Sequence, residues 1–311
     1  MSALATEDAP LVWEAVSAAL TRRPQQPTEA APSRFADLDL RPTRELVRLL
    51  NEEDATVPAA VAEAHDALAT AIDAIVERMR RGGRLVYVGA GTSGLIAALD
   101  AAECGPTFGS PPGEVLALVA DGEAGEDDAA AARERLGRLA LGPDDSVVAV
   151  SASGSTPFAL GALEAAREAG ALRVAVTCVR GSALAALADL EVATVVGPEV
   201  LAGSTRLKAG TAQKLVLNAI STVTMIRLGR TYGGLMIAVA PENEKLRARA
   251  RRNVALASGA GEEQVAEALA AAEGDARVAL VSLLARVDAA EARARLEAAG
   301  GSVRGAIGGG A

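Results

Sequence analysis

The sequence predicts an α/β fold: a doubly wound, five-stranded parallel sheet with α/β/α layers, N-terminal helices and a small C-terminal all-helical domain. Five short, almost wholly apolar runs rich in β-branched residues occur at 84–89, 114–120, 146–150, 173–177 and 191–196. Amphipathic patterns separate these runs. Continuous apolar strands that alternate with helices are typical of a parallel sheet covered on both faces.

The helices are predicted from apolar residues that recur every three to four positions. One helix opens at Thr43, and the next carries the stripe Leu68, Ile72, Ile75 and Met79. Further helices are expected at 93–102, 127–141, 156–169, 182–189 and 211–228, and short ones at 245–258, 262–273, 276–287, 289–299 and 302–307. The expected division is a poorly structured leader (1–40), a helical segment (41–82), an α/β domain (83–242) and a helical domain (243–311).

The composition excludes several classes of function. The chain has 31 basic and 40 acidic residues, a net charge of −9 and 2% aromatic residues, which argues against nucleic-acid binding. One His and two Cys cannot supply a His-rich metal site or a disulfide framework. No apolar run is long enough to span a bilayer, and the first residues lack the basic start of a signal peptide. We therefore expect a cytoplasmic protein with no membrane contact and no metal.

A glycine-rich loop follows the first predicted strand. Residues 89–94 match the dinucleotide pattern G-x-G-x-x-G in form, but Asp121, the candidate acid for the ribose, lies later than such a site requires. Gly91, Thr92 and Ser93 stand where a helix begins, and there backbone N–H groups and the helix dipole favour an anion. The loop is therefore either a phosphate cradle or a tight turn with a hydroxyl N-cap.

A second loop, after the third predicted strand, holds more hydroxyl groups than one N-cap needs. They belong to Ser151, Ser153, Ser155 and Thr156. Ligands of open α/β sheets bind at the carboxyl ends of the strands, where the strand order reverses. Two such loops can hold the phosphate of one small molecule, whereas a nicotinamide dinucleotide would not require the second loop. The pattern therefore favours a phosphosugar ligand.

Two carboxylates are expected at the same edge of the sheet. Glu103 lies at the end of the helix that the first loop begins, where a negative charge faces the unfavourable end of the helix dipole. Glu126 comes just after the second predicted strand. Two carboxylates in different environments can divide acid and base roles. The alternative is that the acidic residues around 126–128 are ordinary helix caps.

The blocks that carry these residues resemble one family, the N-acetylmuramic acid 6-phosphate etherases, whose chains contain a sugar isomerase (SIS) domain. The resemblance runs from about Thr28 to the C-terminus. It is most specific in GAGTSG (89–94), DAAECGPTFG (100–109), AGEDD (124–128), GPEVLAGSTRLKAGTAQKLVLN (197–218) and NEKL (243–246). The resemblance implies a SIS-type fold, and it is the only ground for expecting a homodimer.

The resemblance also implies an activity. The family splits the D-lactyl ether of N-acetylmuramic acid 6-phosphate by elimination and water addition, in peptidoglycan recycling, without a metal or organic cofactor. Its catalytic glutamates fall on Glu103, the expected donor to the ether oxygen, and Glu126, the partner acid/base; which one removes the C2 proton is left open. The hydroxyls of both loops would hold the phosphate. Arg206 and Lys208 would neutralise the phosphate or the lactyl carboxylate, or else form a surface ion pair.

The sequence departs from the family at Leu95 and Ser155, where arginine is usual. Fewer cations at a site for a doubly anionic substrate leave open an etherase-like lyase with an altered phosphosugar substrate. They also leave open a non-catalytic SIS-type phosphosugar sensor, similar in part to glucokinase regulatory proteins, and an aldose–ketose isomerase. The retained glutamates favour catalysis over sensing.

Overall fold

The computed structural model describes residues 27–122, 124–238 and 244–308. These described residues form two compact units, the first from 27–99 together with those of 116–220, and the second from 100–115 together with those from 221 to 308. This division differs from the linear one expected from the sequence, because two long helices contribute residues to both units. The first 26 residues of the expected leader, and the expected boundary at residue 242, lie outside the described residues.

The first unit contains a five-stranded parallel sheet, so the predicted fold class is confirmed. The strands are β1 (Leu85–Gly89), β2 (Val115–Val119), β3 (Ser146–Ser151), β4 (Leu172–Thr177) and β5 (Leu190–Ala193). Their order is β2-β1-β3-β4-β5. The register places Gly89 of β1 opposite Val150 of β3. Every residue of β1 and β3 is buried, which explains why both strands are apolar without alternation.

Most helices that belong to the first unit, wholly or in part, were predicted, but their bounds differ from the expected ones and Val57–Ala62 was not expected. The helices are α1 (Thr43–Asp54), α2 (Val57–Ala62), α3 (His65–Arg80), α4 (Gly91–Phe108), α5 (Ala129–Gly137), α6 (Pro157–Glu168), α7 (Ala183–Leu187) and α8 (Lys208–Arg227). The predicted stripe of α3 is buried, and α3 packs beside β5. On the sheet, Phe158 and Leu163 of α6 pack in one cluster with Val86 and Val147. Burial of each such side chain stabilises the fold by roughly 1.5–3 kcal/mol.

Residues 27–40 differ from the poorly structured leader expected there. They form three short 3₁₀ helices: Pro27–Glu29, Ser33–Phe35 and Leu38–Leu40. Phe35 is 4% exposed, and Ala30 and Ala31 are buried as well. The expectation failed because turn-forming residues such as Pro32 interrupt the sequence pattern, so the few apolar side chains that anchor this segment give no periodic signal.

The second unit is mostly helical, as predicted. Besides the C-terminal parts of α4 and α8 it contains α9 (Glu244–Ser258), α10 (Glu262–Ala271), α11 (Ala276–Ala285), α12 (Ala289–Ala298) and α13 (Val303–Ala306). Side chains of Asp275, Asp288 and Ser302 accept backbone N–H groups in the first turns of α11, α12 and α13. A two-residue antiparallel hairpin, β6 (Thr231–Tyr232) with β7 (Leu235–Met236), was not expected.

A partly buried ion pair fixes the amino-terminal edge of the large sheet. Arg84, just before β1, donates through Nη2 to Oδ2 of Asp145 at 2.7 Å, and its backbone N–H donates to Oδ1 at 2.8 Å. Burial raises the pKa of Asp145, but hydrogen bonds from Arg84 and from the backbone N–H of Gly142 outweigh burial and hold the pKa below its usual value. The charged carboxylate therefore contributes to stability.

Asp145→Asn is expected to lower the free energy of unfolding by about 2–4 kcal/mol, because it leaves Arg84 with a neutral partner. The folded pKa lies below the unfolded value of about 3.9, so the contribution is present above that pH and is lost as pH falls through the folded pKa. Urea unfolding as a function of pH measures both effects. The control is Asp144→Asn, whose exposed pair with Arg81 is worth about 1 kcal/mol or less. A difference from wild type that does not shrink on acidification would refute this assignment.

Candidate functional site

The strand order of the large sheet reverses between β1 and β3. From β1 the chain moves outward to β2, and it then returns past β1 to β3. In open α/β sheets the ligand crevice lies at the carboxyl ends of the strands on either side of such a reversal. Since Gly89 pairs opposite Val150, the loops that follow β1 and β3 start side by side. The structure thus brings the two predicted hydroxyl-rich loops to one edge.

The first loop folds back tightly on the end of β1, and this requires its glycines. A Cβ on Gly94 would lie 2.6 Å from the carbonyl oxygen of Gly89 and 2.7 Å from Cγ1 of Val119. Gly91 has a φ of +51°, in the left-handed region that favours glycine. Helix α4 begins at Gly91, so Thr92 and Ser93 lie in its first turn, both half-buried. Their backbone N–H groups are therefore among those that a helix start can offer to an anion.

The hydroxyls of the second loop form one connected network. The hydroxyl oxygens of Ser151 and Thr156 are 2.8 Å apart, and those of Ser151 and Ser153 are 3.4 Å apart. Ser155 donates to the Ser153 oxygen at 2.9 Å. Thr156 precedes α6, yet its side chain makes no capping hydrogen bond to that helix. This hydroxyl therefore serves the loop and not an ordinary N-cap.

Glu126 lies at the first loop. It belongs to the one-turn 3₁₀ helix Ala124–Asp127 that follows β2, and its side chain is half-buried. Its Oε2 is 3.8 Å from the position that a Cβ on Gly91 would take. Asp128, and not Glu126, caps α5, since its carboxylate accepts the N–H of Ala131 at 2.8 Å. The capping alternative considered from the sequence thus applies to Asp128 and leaves the carboxylate of Glu126 available to a ligand.

Glu103 belongs to the second unit and is exposed on the C-terminal half of α4. One turn earlier, the buried Asp100 accepts a hydrogen bond from Ser221 at 3.0 Å, which fixes the rotation of this part of the helix. The neighbouring Cys104 is 2% exposed, and burial raises the pKa of its thiol to about 12. Cys104 is therefore a structural residue without a nucleophilic thiolate. The pairing of Glu103 with Glu126 remains a prediction.

The two predicted cations occupy different environments. Arg206 is exposed on the segment before α8. The side chain of Lys208 is 4% exposed, and its Nζ donates to Oε2 of Glu53 at 2.8 Å. Arg34 contacts the other oxygen of Glu53 at 2.9 Å. Sequence reasoning missed Glu53 because it lies far from Lys208 along the chain, and only the tertiary fold brings the two together.

The start of α8 lies beside the first loop. A Cβ on Gly210 would be 3.5 Å from Cγ2 of Thr92, which is ordinary van der Waals contact. Glu199, another residue that the sequence reasoning missed, is fully buried and accepts the backbone N–H groups of Lys208 and Ala209. Glu199 lies in 197–218, the longest block of the family resemblance, and this was the signal in the sequence that could have identified it.

Two searches of the described part of the chain bear on ligands and membranes. Neither residues 27–122 nor the later described ranges contain a group of three or more His, Cys, Asp or Glu side chains suited to a metal ion. No helix within those ranges has the length and apolarity needed to cross a membrane.

The fold is that of a doubly wound α/β protein whose two hydroxyl-rich loops lie at the switch point of the sheet, and residues 50–178 match the SIS domain family. The chain is 56% identical to the N-acetylmuramic acid 6-phosphate etherase of Rubrobacter xylanophilus, over 90% of this chain and 95% of that protein. The corresponding etherases of Streptomyces coelicolor and Mycolicibacterium smegmatis are 54% and 46% identical, over 90% and 91% of this chain and 93% and 98% of theirs. This chain therefore belongs to the N-acetylmuramic acid 6-phosphate etherase family.

Gly94→Ala is expected to distort the first loop, because the new Cβ would collide with the backbone of Gly89. Binding of N-acetylglucosamine 6-phosphate should weaken at least about tenfold, and the free energy of unfolding should fall by about 1–3 kcal/mol. Calorimetric titration and urea unfolding measure the two effects. Gly137→Ala is the matched control: it lies in α5 with no atom within 4 Å of the added Cβ, and it should be neutral or stabilising. Equal affinities of the two variants would show that the tight loop does not hold the ligand.

Proposed function

We propose that this chain cleaves the D-lactyl ether of N-acetylmuramic acid 6-phosphate, releasing N-acetylglucosamine 6-phosphate and D-lactate. It is then a carbon–oxygen lyase of amino sugar metabolism and peptidoglycan recycling. The family membership supports this activity over nearly the whole chain. The observation in the structure that carries the proposal is the carboxylate of Glu126, which lies at the loop where a phosphosugar would bind.

The phosphate is the part of the substrate that the two loops suit. The first turn of α4 offers backbone N–H groups and the positive end of the helix dipole. The second loop offers the hydroxyls of Ser151, Ser153, Ser155 and Thr156, already ordered by their mutual hydrogen bonds. Hydroxyls can rotate to donate to phosphate oxygens. These groups would hold the phosphosugar with its ring directed towards Glu126.

The reaction requires proton transfers at C2, at the departing ether oxygen and at the attacking water, and carboxyl groups can perform them without a cofactor. With the sugar open as its aldehyde, the proton on C2 is acidic, and a glutamate removes it. The electron pair of the C2–H bond forms the C2–C3 double bond while the C3–O bond breaks, and Glu103 protonates the departing lactate oxygen. Water then adds its hydroxyl to C3 and a proton returns to C2, with Glu126 as the partner acid/base. The net change is hydrolysis of the ether.

A second candidate function is a lyase of the same type with a different phosphosugar substrate. It is favoured by the low positive charge of the loops. Leu95 is 67% exposed in the first turns of α4, and Ser155 gives the second loop a hydroxyl where the family usually has a cation. Each charged contact to a phosphate is worth about 1.5–3 kcal/mol. Without two such contacts, selection for the doubly anionic substrate is weaker.

The activity is tested by incubating the purified protein with N-acetylmuramic acid 6-phosphate and assaying D-lactate. Glu103→Gln and Glu126→Gln should each lower kcat at least about 100-fold, because proton transfer by a positioned carboxyl group contributes that much or more. KM should change little, since neither glutamate holds the phosphate. The matched control is Asp127→Asn, an exposed neighbour on the same 3₁₀ helix, which should turn over at the wild-type rate.

Each other outcome of this assay has a defined meaning. Unchanged turnover in either glutamine variant removes that glutamate from the mechanism. Absence of D-lactate, together with tight binding of N-acetylglucosamine 6-phosphate, would contradict the etherase and favour the sensor. Lactate release from a different 3-O-lactyl phosphosugar alone would favour the altered substrate.

The proposal also covers the oligomeric state of the protein and its location in the cell. Family resemblance supports a homodimer in the cytoplasm, with a small phosphosugar as its ligand. The absence of a basic surface from the composition argues against a nucleic-acid partner.

A further inference from the structure

Four charged side chains connect the N-terminal helix α1 with the start of α8; Glu199 and Lys208 are buried, Glu53 is half-buried and Arg34 is exposed. Glu199 is fully buried; its Oε2 accepts the N–H of Lys208 at 3.0 Å and its Oε1 accepts the N–H of Ala209 at 2.9 Å. The ammonium group of Lys208 contacts Glu53 at 2.8 Å, and Glu53 also contacts Arg34 at 2.9 Å. All four side chains belong to the first unit.

We propose that Glu199 and Lys208 are positioning residues that hold the first turn of α8 against the phosphate-binding first loop, and that Lys208 does not itself bind the substrate. The proposal rests on the proposed function for its kinetic test only. It replaces the role expected from the sequence, in which Lys208 is a cation for the phosphate or the lactyl carboxylate.

The carboxylate of Glu199 occupies the place where α8 would otherwise attract an anion. The first N–H groups of a helix have no partner within the helix, and the dipole favours a negative charge there. Both oxygens of Glu199 are used for this purpose. A substrate phosphate is therefore directed to the start of α4 and not to the start of α8.

The positive charge of Lys208 is likewise paired within the protein. Its side chain is 4% exposed and is paired with a carboxylate whose own side chain is 14% exposed. Breaking a buried pair of this kind to reach a ligand would leave Glu53 with Arg34 as its remaining partner and is costly. Lys208 thus acts on the site through the backbone that it anchors.

The first turn of α8 passes close to the first loop at Gly210, which has no side chain. A Cβ there would lie 3.5 Å from Cγ2 of Thr92 and 3.5 Å from Cδ1 of Ile96. Thr92 carries one of the hydroxyls of the first loop. A shift of α8 would therefore change the space beside Thr92, and the contacts of Glu199 and Lys208 oppose such a shift.

The kinetic test is a double-mutant cycle on Glu53→Gln and Lys208→Met. The rate of D-lactate release is measured for wild type, for each single variant and for the double variant. If Lys208 is a positioning residue, each single variant should lower kcat/KM at least about tenfold, and the double variant should be no worse than Lys208→Met, since both break one pair. If Lys208 binds phosphate, Lys208→Met should raise KM while Glu53→Gln leaves KM unchanged or lower. The second pattern would overturn the proposal.

A second measurement does not depend on activity. In Glu199→Gln, an isosteric change, one backbone N–H at the start of α8 faces an amide NH₂ group. Hydrogen exchange followed by mass spectrometry should be at least about fivefold faster in peptides covering 90–94 and 203–212, and unchanged in α6. Glu191→Gln is the matched control, because Glu191 also accepts a backbone N–H, from Gly181 at 2.9 Å, away from these segments.

The two measurements separate the possible failures. If the wild-type protein releases no D-lactate, the proposed function fails, and the exchange experiment still decides the role of Glu199. If exchange at 90–94 is the same in Glu199→Gln and wild type, α8 does not position the loop and the present inference is wrong.

Discussion

In the large sheet, β1 pairs in parallel with β3, with Gly89 opposite Val150, and the rest of the candidate site depends on this register. The loops after the two strands contain mainly glycines and hydroxyl residues, so they have little apolar surface with which to place themselves. Because the strands end level with each other, the loops meet. Glu126 arrives from β2, the neighbour of β1 on the other side. The strand order β2-β1-β3 therefore brings two hydroxyl-rich loops and a carboxylate from three separate segments to one edge of the sheet.

The starts of three helices differ in which groups lie at their first backbone N–H groups. At α8 the position is filled by the protein's own carboxylate, Glu199. At α6 the N-cap hydroxyl of Thr156 is turned to Ser151 and joins the loop network. At α4 the helix begins within the glycine-rich loop, beside Glu126. A phosphosugar bound at the start of α4 and at the second loop would leave the start of α8, where Glu199 accepts the N–H groups, unused.

Much of the fold could be predicted from the sequence, because buried parallel strands and amphipathic helices have distinct periodicities. The stripe of α3 and the hydroxyl loops are local signals of this kind. Long-range contacts are not: the pairing of Lys208 with Glu53 depends on tertiary structure. Helix α4 also extends beyond the expected 93–102. It continues through Pro106 to Phe108, although proline usually marks a helix end. Glu103 became a candidate from its position at the end of a predicted helix, and its expected role as donor to the ether oxygen came from family resemblance alone.

The central claim is that the phosphate of a 6-phosphosugar is held at the switch point by the first and second loops. A crystal structure of the protein with N-acetylglucosamine 6-phosphate tests it most directly. The account predicts phosphate oxygens about 2.7–3.2 Å from the hydroxyls of the second loop and from backbone N–H groups at the start of α4, with the sugar ring facing Glu126. A phosphate bound at the start of α8 on Lys208, or a sugar bound while both loops stay empty, would contradict it.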